Sequence, residues 1–396
     1  MYYICTVKYS VMYYHRKLEG EILKGLNNSP VTAIIGPRQC GKSTLARQIV
    51  KQLTTSVVYL DLGRPSDLDK LDNAEWFFSQ QKGSLICLDE IQRKPDLFSL
   101  IRSLVDEWGG NGHFLVLGSA SRDLIKQSSE SLAGRITFKQ LHPFIITEIK
   151  NKFSVEEYLV KGGFPRSILS DDNESFEWRE DFVSTFLERD LLQWSGFSTN
   201  TMRKLWRMIA VLNGNVVNYN LIATSLGISP PTAKNYVELL SATFMVRLLP
   251  PYLANTGKRL IKSPKLYLTD SGISNNLLGI ENFSELLGHP GIGAAWETLV
   301  LANLSAFFPK LDFYFYRTNH GSELDFIIER KGKIVAVECK VGAKPSLTRG
   351  SYAAIADLKP EITLIICPVK KGWSFNSGIE VTSLLEAFAK IQSVYY

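Results

Sequence analysis

The string Gly36-Pro-Arg-Gln-Cys-Gly41-Lys42-Ser43 places two glycines, an ammonium group and a hydroxyl on one short loop. The loop lies between the apolar run Val31–Ile35 and the amphipathic stretch Thr44–Leu53, a strand–loop–helix context. Glycines let backbone N–H groups curl around phosphate oxygens, and the N-terminus of the following helix adds a favourable dipole. In that setting Lys42 would reach the β and γ phosphates of ATP, and Ser43 would offer a hydroxyl to Mg2+. The expected nucleotide-binding set is Gly36, Pro37, Arg38, Gln39, Cys40, Gly41, Lys42, Ser43 and Thr44.

The acids such a site needs follow in Leu85-Ile-Cys-Leu88-Asp89-Glu90, an apolar strand ending in two carboxylates. Asp89 is expected to hold the magnesium shell and Glu90 to orient or deprotonate the attacking water. The next apolar run, Phe114–Leu117, leads into Gly118-Ser119-Ala120-Ser121, where Ser119 reads either as a polar sensor of the γ-phosphate or as part of a small-residue turn. Arg135 follows a glycine and reads as an arginine finger for a neighbouring subunit, which implies a homo-oligomer, or as an ordinary surface arginine.

A second constellation lies near the C-terminus. Glu338 and Lys340 are two apart on a predicted strand and therefore share a face, and Asp325 can lie beside Glu338 across the hairpin Glu323–Lys340. Adjacent carboxylates could hold Mg2+, with Lys340 stabilising a charged phosphorane and Glu297 on the preceding helix completing the cluster. The order helix acid, Asp, then Glu-x-Lys is similar to the PD-(D/E)xK restriction-endonuclease-like fold; a retained fold serving as a docking surface is the other reading. Cys339-Lys340-Val341-Gly342 departs from the Ser or Thr that often continues such modules, and His320 near the hairpin reads as a solvent-facing turn histidine more readily than as a ligand.

Between these two lies a pair of helical patterns. Asn218–Leu226, with Leu221, Ile222 and Leu226 on one side, is joined by Gly227-Ile228-Ser229 to a second helix, Pro231–Thr243. With strands after it, this reads as a winged helix-turn-helix. DNA contact would fall to Thr232, Lys234 and Asn235 on the second helix and to Lys258, Arg259, Lys262 and Lys265 on the wing. The alternative is a helical lid that relays nucleotide state or carries a protein partner.

The elements that must position these groups divide the chain of 396 residues into three units, in line with a prior of roughly 150 residues per domain. Residues 12–150 alternate buried parallel strands (Val31–Ile35, Val57–Leu60, Leu85–Leu88, Phe114–Leu117) with helices, a doubly wound α/β core. Residues 151–285 are mostly helical, with Glu156–Val160 and Trp178–Leu192 clearest and Val246–Tyr252 and Lys265–Thr269 as strands. Residues 286–396, after the boundary Gly288–Gly293, form an α/β module with a helix Ala294–Phe308, strands Phe313–Thr318, Glu323–Glu329, Lys333–Lys340 and Ile362–Cys367, and a closing helix Thr382–Ile391.

Hydrophobic content of 45% and charged content of 21% suit a globular chain with sizeable cores. No run approaches the roughly 18 apolar residues of a membrane span. Five cysteines (Cys5, Cys40, Cys87, Cys339, Cys367) form no CxxC pair, and Cys40 and Cys87 sit in the phosphate loop and an apolar strand; a reducing, cytoplasmic setting is expected. The net charge of +6 permits contact with nucleic acid without requiring it. Met12 precedes the amphipathic stretch Arg16–Gly25, so the first eleven residues read as a misassigned start or an unpaired tail.

The phosphate-loop string through Thr44, together with Leu88-Asp-Glu-Ile-Gln92, Leu117-Gly-Ser-Ala-Ser121, Glu130-Ser-Leu-Ala-Gly-Arg135 and Gly162-Gly-Phe-Pro165, closely resembles a group of prokaryotic AAA ATPases whose C-terminal part is a domain called DUF4143. The resemblance continues through Phe186–Asp190, Lys258–Tyr267 and Asp270-Ser-Gly272 and covers nearly the whole chain beyond Met12. It implies an AAA-type ATPase core and strengthens Ser119 as a sensor and Arg135 as a trans-acting finger. Arg166 stands where an acid is usual after Gly-Phe-Pro, and the resemblance implies no substrate beyond the nucleotide.

Overall fold

A computed structural model describes residues 13–119, 131–189, 198–253 and 260–396. The early cysteine Cys5, both possible starts (Met1 and Met12), Ser121, Lys258 and Arg259 lie outside the described residues.

Five strands form the first sheet: β1 (Val31–Gly36), β2 (Val57–Asp61), β3 (Leu85–Asp89), β4 (Phe114–Ser119) and β5 (Ile136–Gln140). Their order is β2-β3-β4-β1-β5, and every pair is parallel. Both faces are covered, which is why β1 and β3 are apolar at consecutive positions and buried throughout. The two-residue side-chain period sends Ile34, Leu115 and Leu117 to one face, where Leu45, Ala46 and Ile49 of the helix Lys42–Gln52 pack. Ala33, Phe114 and Val116 go to the other face, against Phe98, Ile101 and Leu104 of the helix Leu97–Trp108. The fifth strand was not expected: β5 is an edge strand, only partly buried, and reads Ile-Thr-Phe-Lys-Gln with no apolar run to announce it.

The middle of the chain packs the helices Asp172–Arg189, Thr199–Val211, Tyr219–Leu226 and Pro230–Ala242 around Trp206, Phe186, Tyr236 and Leu240. Strands β6 (Val246–Leu249) and β7 (Lys265–Leu268) pair antiparallel. The first stops short of the expected Tyr252 because Pro250 and Pro251 cannot donate to a ladder.

The second sheet has the order β12-β13-β11-β10-β9-β8, built from β8 (Asp312–Arg317), β9 (Glu323–Arg330), β10 (Lys333–Cys339), β11 (Ile362–Ile366), β12 (Trp373–Asn376) and β13 (Ile379–Thr382). It is mixed: β10, β11 and β13 run parallel, and the other pairs are antiparallel. The hairpin β12–β13 was also unexpected, its first strand being mostly exposed. Thr382, expected to open the last helix, instead ends β13; Ser383 caps the helix Leu384–Tyr395 by accepting from the Glu386 N–H at 3.2 Å. One apolar cluster runs from Phe144 and Tyr158 through Tyr267 to Trp296, Phe326 and Phe388, so the core crosses the expected boundary near residue 286.

Candidate functional site

At the C-terminal edge of the first sheet, β1 turns sharply into the phosphate loop. Gly36 has φ 153° and passes so close to β5 that an added Cβ would lie 2.1 Å from the Leu141 carbonyl oxygen. Gly41 (φ 99°) caps the helix Lys42–Gln52, and its carbonyl accepts the first helical bond from Leu45 N–H at 2.9 Å. Lys42 is buried, and its Nζ donates to the carbonyls of Gly36 (3.0 Å) and Pro37 (2.8 Å). Both acceptors are neutral, so the ammonium charge lies over the loop without a counter-ion among the described residues. Ser43 follows on the same helix.

The acid pair closes the same edge. Asp89 is buried; its Oδ2 accepts from the Tyr59 hydroxyl at 2.7 Å and its Oδ1 from the Glu90 N–H at 3.0 Å. Burial and this bond to Asp89 hold the Tyr59 phenol well above its ordinary pKa, so it is a neutral donor. Glu90 adopts φ 59°, an uncommon conformation for a residue with a side chain, and its Oε2 accepts from Gln92 Nε2. Lone pairs remain on both Asp89 oxygens beyond these two bonds. Tyr59 carries no signal in the sequence because it meets Asp89 only after β2 pairs with β3, and Gln92, two residues from Glu90, makes a local side-chain bond that no spacing announces.

Ser119 ends β4, in register with Gly36 on β1, so its backbone stands between the phosphate loop and the acid pair. Its side chain lies outside the described residues. Arg135 lies at the opposite edge: its carbonyl accepts from Val31 N–H at the start of β1. The length of β1 places it roughly 17 Å from the loop of its own chain. Its guanidinium makes a two-pronged pair with Asp106, Nε–Oδ1 2.5 Å and Nη2–Oδ2 2.9 Å.

The second constellation does converge, around a cavity of about 450 Å³ that Glu297, Asp325, Glu338 and Lys340 all line. Asp325 lies beside Glu338 as expected, its Oδ2 accepting from Cys339 N–H at 2.8 Å, and Lys340 Nζ lies 2.8 Å from Glu338 Oε1. An unforeseen residue stands among them. Lys265 of β7, buried, places its Nζ 2.9 Å from Glu323 Oε1 and 3.9 Å from Asp325 Oδ1. The neighbouring Tyr267 donates to Glu297 Oε2 at 2.7 Å. Burial, reinforced by the charge of Asp325, raises the Glu297 carboxyl to about 8 and the Glu338 carboxyl to about 7. Burial works against the Lys265 ammonium, yet the carboxylates of Asp325, Glu297 and Glu323 outweigh it and raise its pKa. Glu338 Oε2 is buried with no hydrogen-bond partner among the described residues. Among those residues no group of three or more His, Cys, Asp or Glu side chains is gathered closely enough to hold a metal ion. His320 is exposed.

Three family matches tile the chain: an AAA domain over residues 28–150, a domain of unknown function (DUF8612) over 152–284 and a domain of unknown function (DUF4143) over 292–387. Uncharacterized proteins of Mycobacterium bovis and Mycobacterium tuberculosis are each 36% identical over 366 residues, covering 92% of this chain and 82% of theirs. The chain belongs to the AAA ATPase family with a C-terminal DUF4143 domain. Among solved structures, the Walker-type ATPase of Pyrococcus abyssi is similar at 15% identity and a TM-score of 0.47, covering 67% of this chain and 96% of that one.

In this AAA ATPase the helix pair of the middle unit forms as expected: Asn218 caps the first helix and Ser229 the second, across Gly227 at φ 66°. Its surface differs from the expectation in two places. Leu221, read as part of the buried side, is 47% exposed, while Ile222 and Ala223 are buried. Lys265, read as a wing residue, is 3% exposed and occupied with acids, so it offers nothing to a phosphate backbone. Lys234 and Asn235 are exposed, Lys234 lying 3.9 Å from Glu238, and Lys262 is exposed. Two strings that carried the resemblance without a role prove to lock onto each other. Asp270 Oδ2 accepts from Gly163 N–H at 2.7 Å and its Oδ1 from Ile273 N–H at 2.9 Å, and an added Cβ at Gly162 would lie 2.1 Å from Asp270 Oδ1. No helix among the described residues is long and apolar enough to cross a membrane.

Proposed function

We propose that this chain binds ATP with Mg2+ and hydrolyses it to ADP and phosphate. The observation that carries the reading is Lys42, a buried ammonium held only by two neutral carbonyls at the mouth of a left-handed glycine loop. A buried, uncompensated charge is costly, and an entering phosphate removes that cost. The backbone N–H groups from Gly41 to Thr44 cradle the phosphates, and Lys42 exchanges its carbonyl partners for phosphate oxygens. Ser43 and Asp89 would hold Mg2+, which neutralises charge on the β and γ phosphates. Glu90, released from Gln92, orients the attacking water and takes its proton. Ser119, on the strand between loop and acids, senses the γ-phosphate. Arg135 serves only a neighbouring copy's nucleotide, after leaving Asp106, which makes the active species a homo-oligomer. The test is ATP turnover by Lys42→Ala: near-normal hydrolysis would overturn the assignment.

A second reading concerns what the ATPase drives. Coupling to DNA, with Mg2+-dependent cleavage at Glu297, Asp325, Glu338 and Lys340, competes with a nucleotide switch whose C-terminal unit binds protein partners. The position of Lys265 favours the switch, because ammonium groups of the chain itself already lie against Asp325 and Glu338, where a cation would have to compete with them. Turnover measured with and without single- and double-stranded DNA separates the two. The switch predicts no stimulation and no cleavage; stimulation of several-fold would reinstate the DNA reading.

A further inference from the structure

Arg16 precedes the first helix among the described residues (Glu19–Asn28) and belongs to none of the motifs above. Arg16 is only 6% exposed, and each of its three guanidinium nitrogens has an acceptor. Nη1 donates to the Cys40 carbonyl at 3.0 Å, Nη2 to the His142 carbonyl at 2.6 Å, and Nε to Glu148 Oε2 at 3.0 Å. The Phe144 ring lies 4.6 Å from its central carbon. Glu148 is itself fixed, accepting from Lys17 N–H at 2.8 Å and Ile145 N–H at 3.1 Å. One buried arginine thus fastens the phosphate loop to the segment that leaves β5.

The bond to Cys40 has a stereochemical consequence. A trans peptide is planar, and its C=O and N–H point in opposite directions. With the Cys40 oxygen held on Arg16, the Gly41 N–H must face away from Arg16, toward the interior of the loop where a phosphate would lie. The glycine agrees with this placement: an added Cβ at Gly41 would be 3.6 Å from Arg16 Nη1, so the guanidinium stands on the outer side of that residue. Because Glu148 already balances the charge of Arg16, its contribution is orientation of a donor and not attraction of an anion. Lysine could keep the charge, but it has no planar fork to reach three acceptors at once.

We propose that Arg16 is a positioning residue of the nucleotide site, which sets the Cys40–Gly41 peptide so that the Gly41 N–H donates to phosphate. This rests on the ATP-binding reading. The experiment compares full-length wild type, Arg16→Met, Arg16→Lys and Glu148→Gln for affinity toward ADP and adenosine, and for the KM and kcat of ATP turnover. Loss of one charge-assisted bond is worth roughly tenfold to a hundredfold in affinity. Arg16→Met should therefore weaken ADP by that factor and leave adenosine within about twofold. KM for ATP should rise with little change in kcat, the signature of lost binding common to ground and transition states. Arg16→Lys should resemble Arg16→Met, and Glu148→Gln, which keeps the guanidinium but loosens its hold, should show a smaller loss in the same direction. Equal weakening of ADP and adenosine, or unchanged ADP affinity in folded Arg16→Lys or Arg16→Met, overturns the proposal. Wild type that fails to bind ADP overturns the ATP reading itself.

Discussion

Two of the buried lysines of this protein, Lys42 and Lys265, stand at chemically opposite sites. At the phosphate loop, Lys42 hydrogen-bonds only neutral backbone carbonyls, and its charge is left for a ligand to answer. In the C-terminal cavity, Lys265 and Lys340 lie against the carboxylates of Glu323, Asp325 and Glu338, and the charges answer one another inside the chain. The residue types at both sites suggest phosphate chemistry, yet only at the first does a lysine lack a carboxylate partner among the described residues. A list of acids and lysines therefore does not define a reaction; whether their charges are already spent on one another decides what a site can still bind.

Several experiments would break or sharpen that contrast. The largest effect is expected for Lys42→Ala, with ATP turnover reduced by at least about a hundredfold, as for loss of one donor to a developing charge, and little change in unfolding temperature. Next is Lys265→Met, which leaves Glu323 and Asp325 without their buried partner. Breaking such a pair costs about 3–5 kcal/mol, read as a fall in the denaturant midpoint, with ATP turnover unchanged below the transition. An unchanged midpoint would show that the cavity does not depend on internal pairing, and the contrast with Lys42 would be lost.

The smallest effect is a pH dependence. The Glu338 carboxyl is raised from 4.5 to about 7 and that of Glu297 from 4.5 to about 8, so from about pH 5 upward the folded chain keeps protons that the unfolded chain releases. By linkage, stability falls as pH rises through that window, because the unfolded state binds fewer protons there. Glu338→Gln should flatten this decline between pH 5 and pH 8 in thermal unfolding. A variant that declines as steeply as wild type would show that Glu338 ionises freely, with no burial penalty.

The nucleotide site was legible because its parts are contiguous. The loop Gly36–Ser43 carries its own geometry, and Asp89 and Glu90 are announced by the apolar strand before them. Tyr59 and Arg16 were not, since Tyr59 meets Asp89 only after β2 pairs with β3 and Arg16 meets Cys40, His142 and Glu148 only after distant segments pack; Gln92 stands two residues from Glu90, where a side-chain bond leaves no distinctive pattern. For the C-terminal cavity, the alternation of β9 and β10 correctly places Asp325, Glu338 and Lys340 together. The intrusion of Lys265 was hidden, because in sequence it reads as one more basic residue beside Lys262. Edge strands such as β5 and β12 were missed because partial burial demands no apolar run.

By itself the amino-acid order determined that a strand, a glycine loop and a helix follow one another with the helix N-terminus at the loop, since backbone conformation and helix polarity are local matters. It likewise determined that two carboxylates end a neighbouring strand. Which charges find internal partners was decided only by the tertiary structure. Coulomb energy depends on distance and burial, and neither is written in the spacing of residues along a chain.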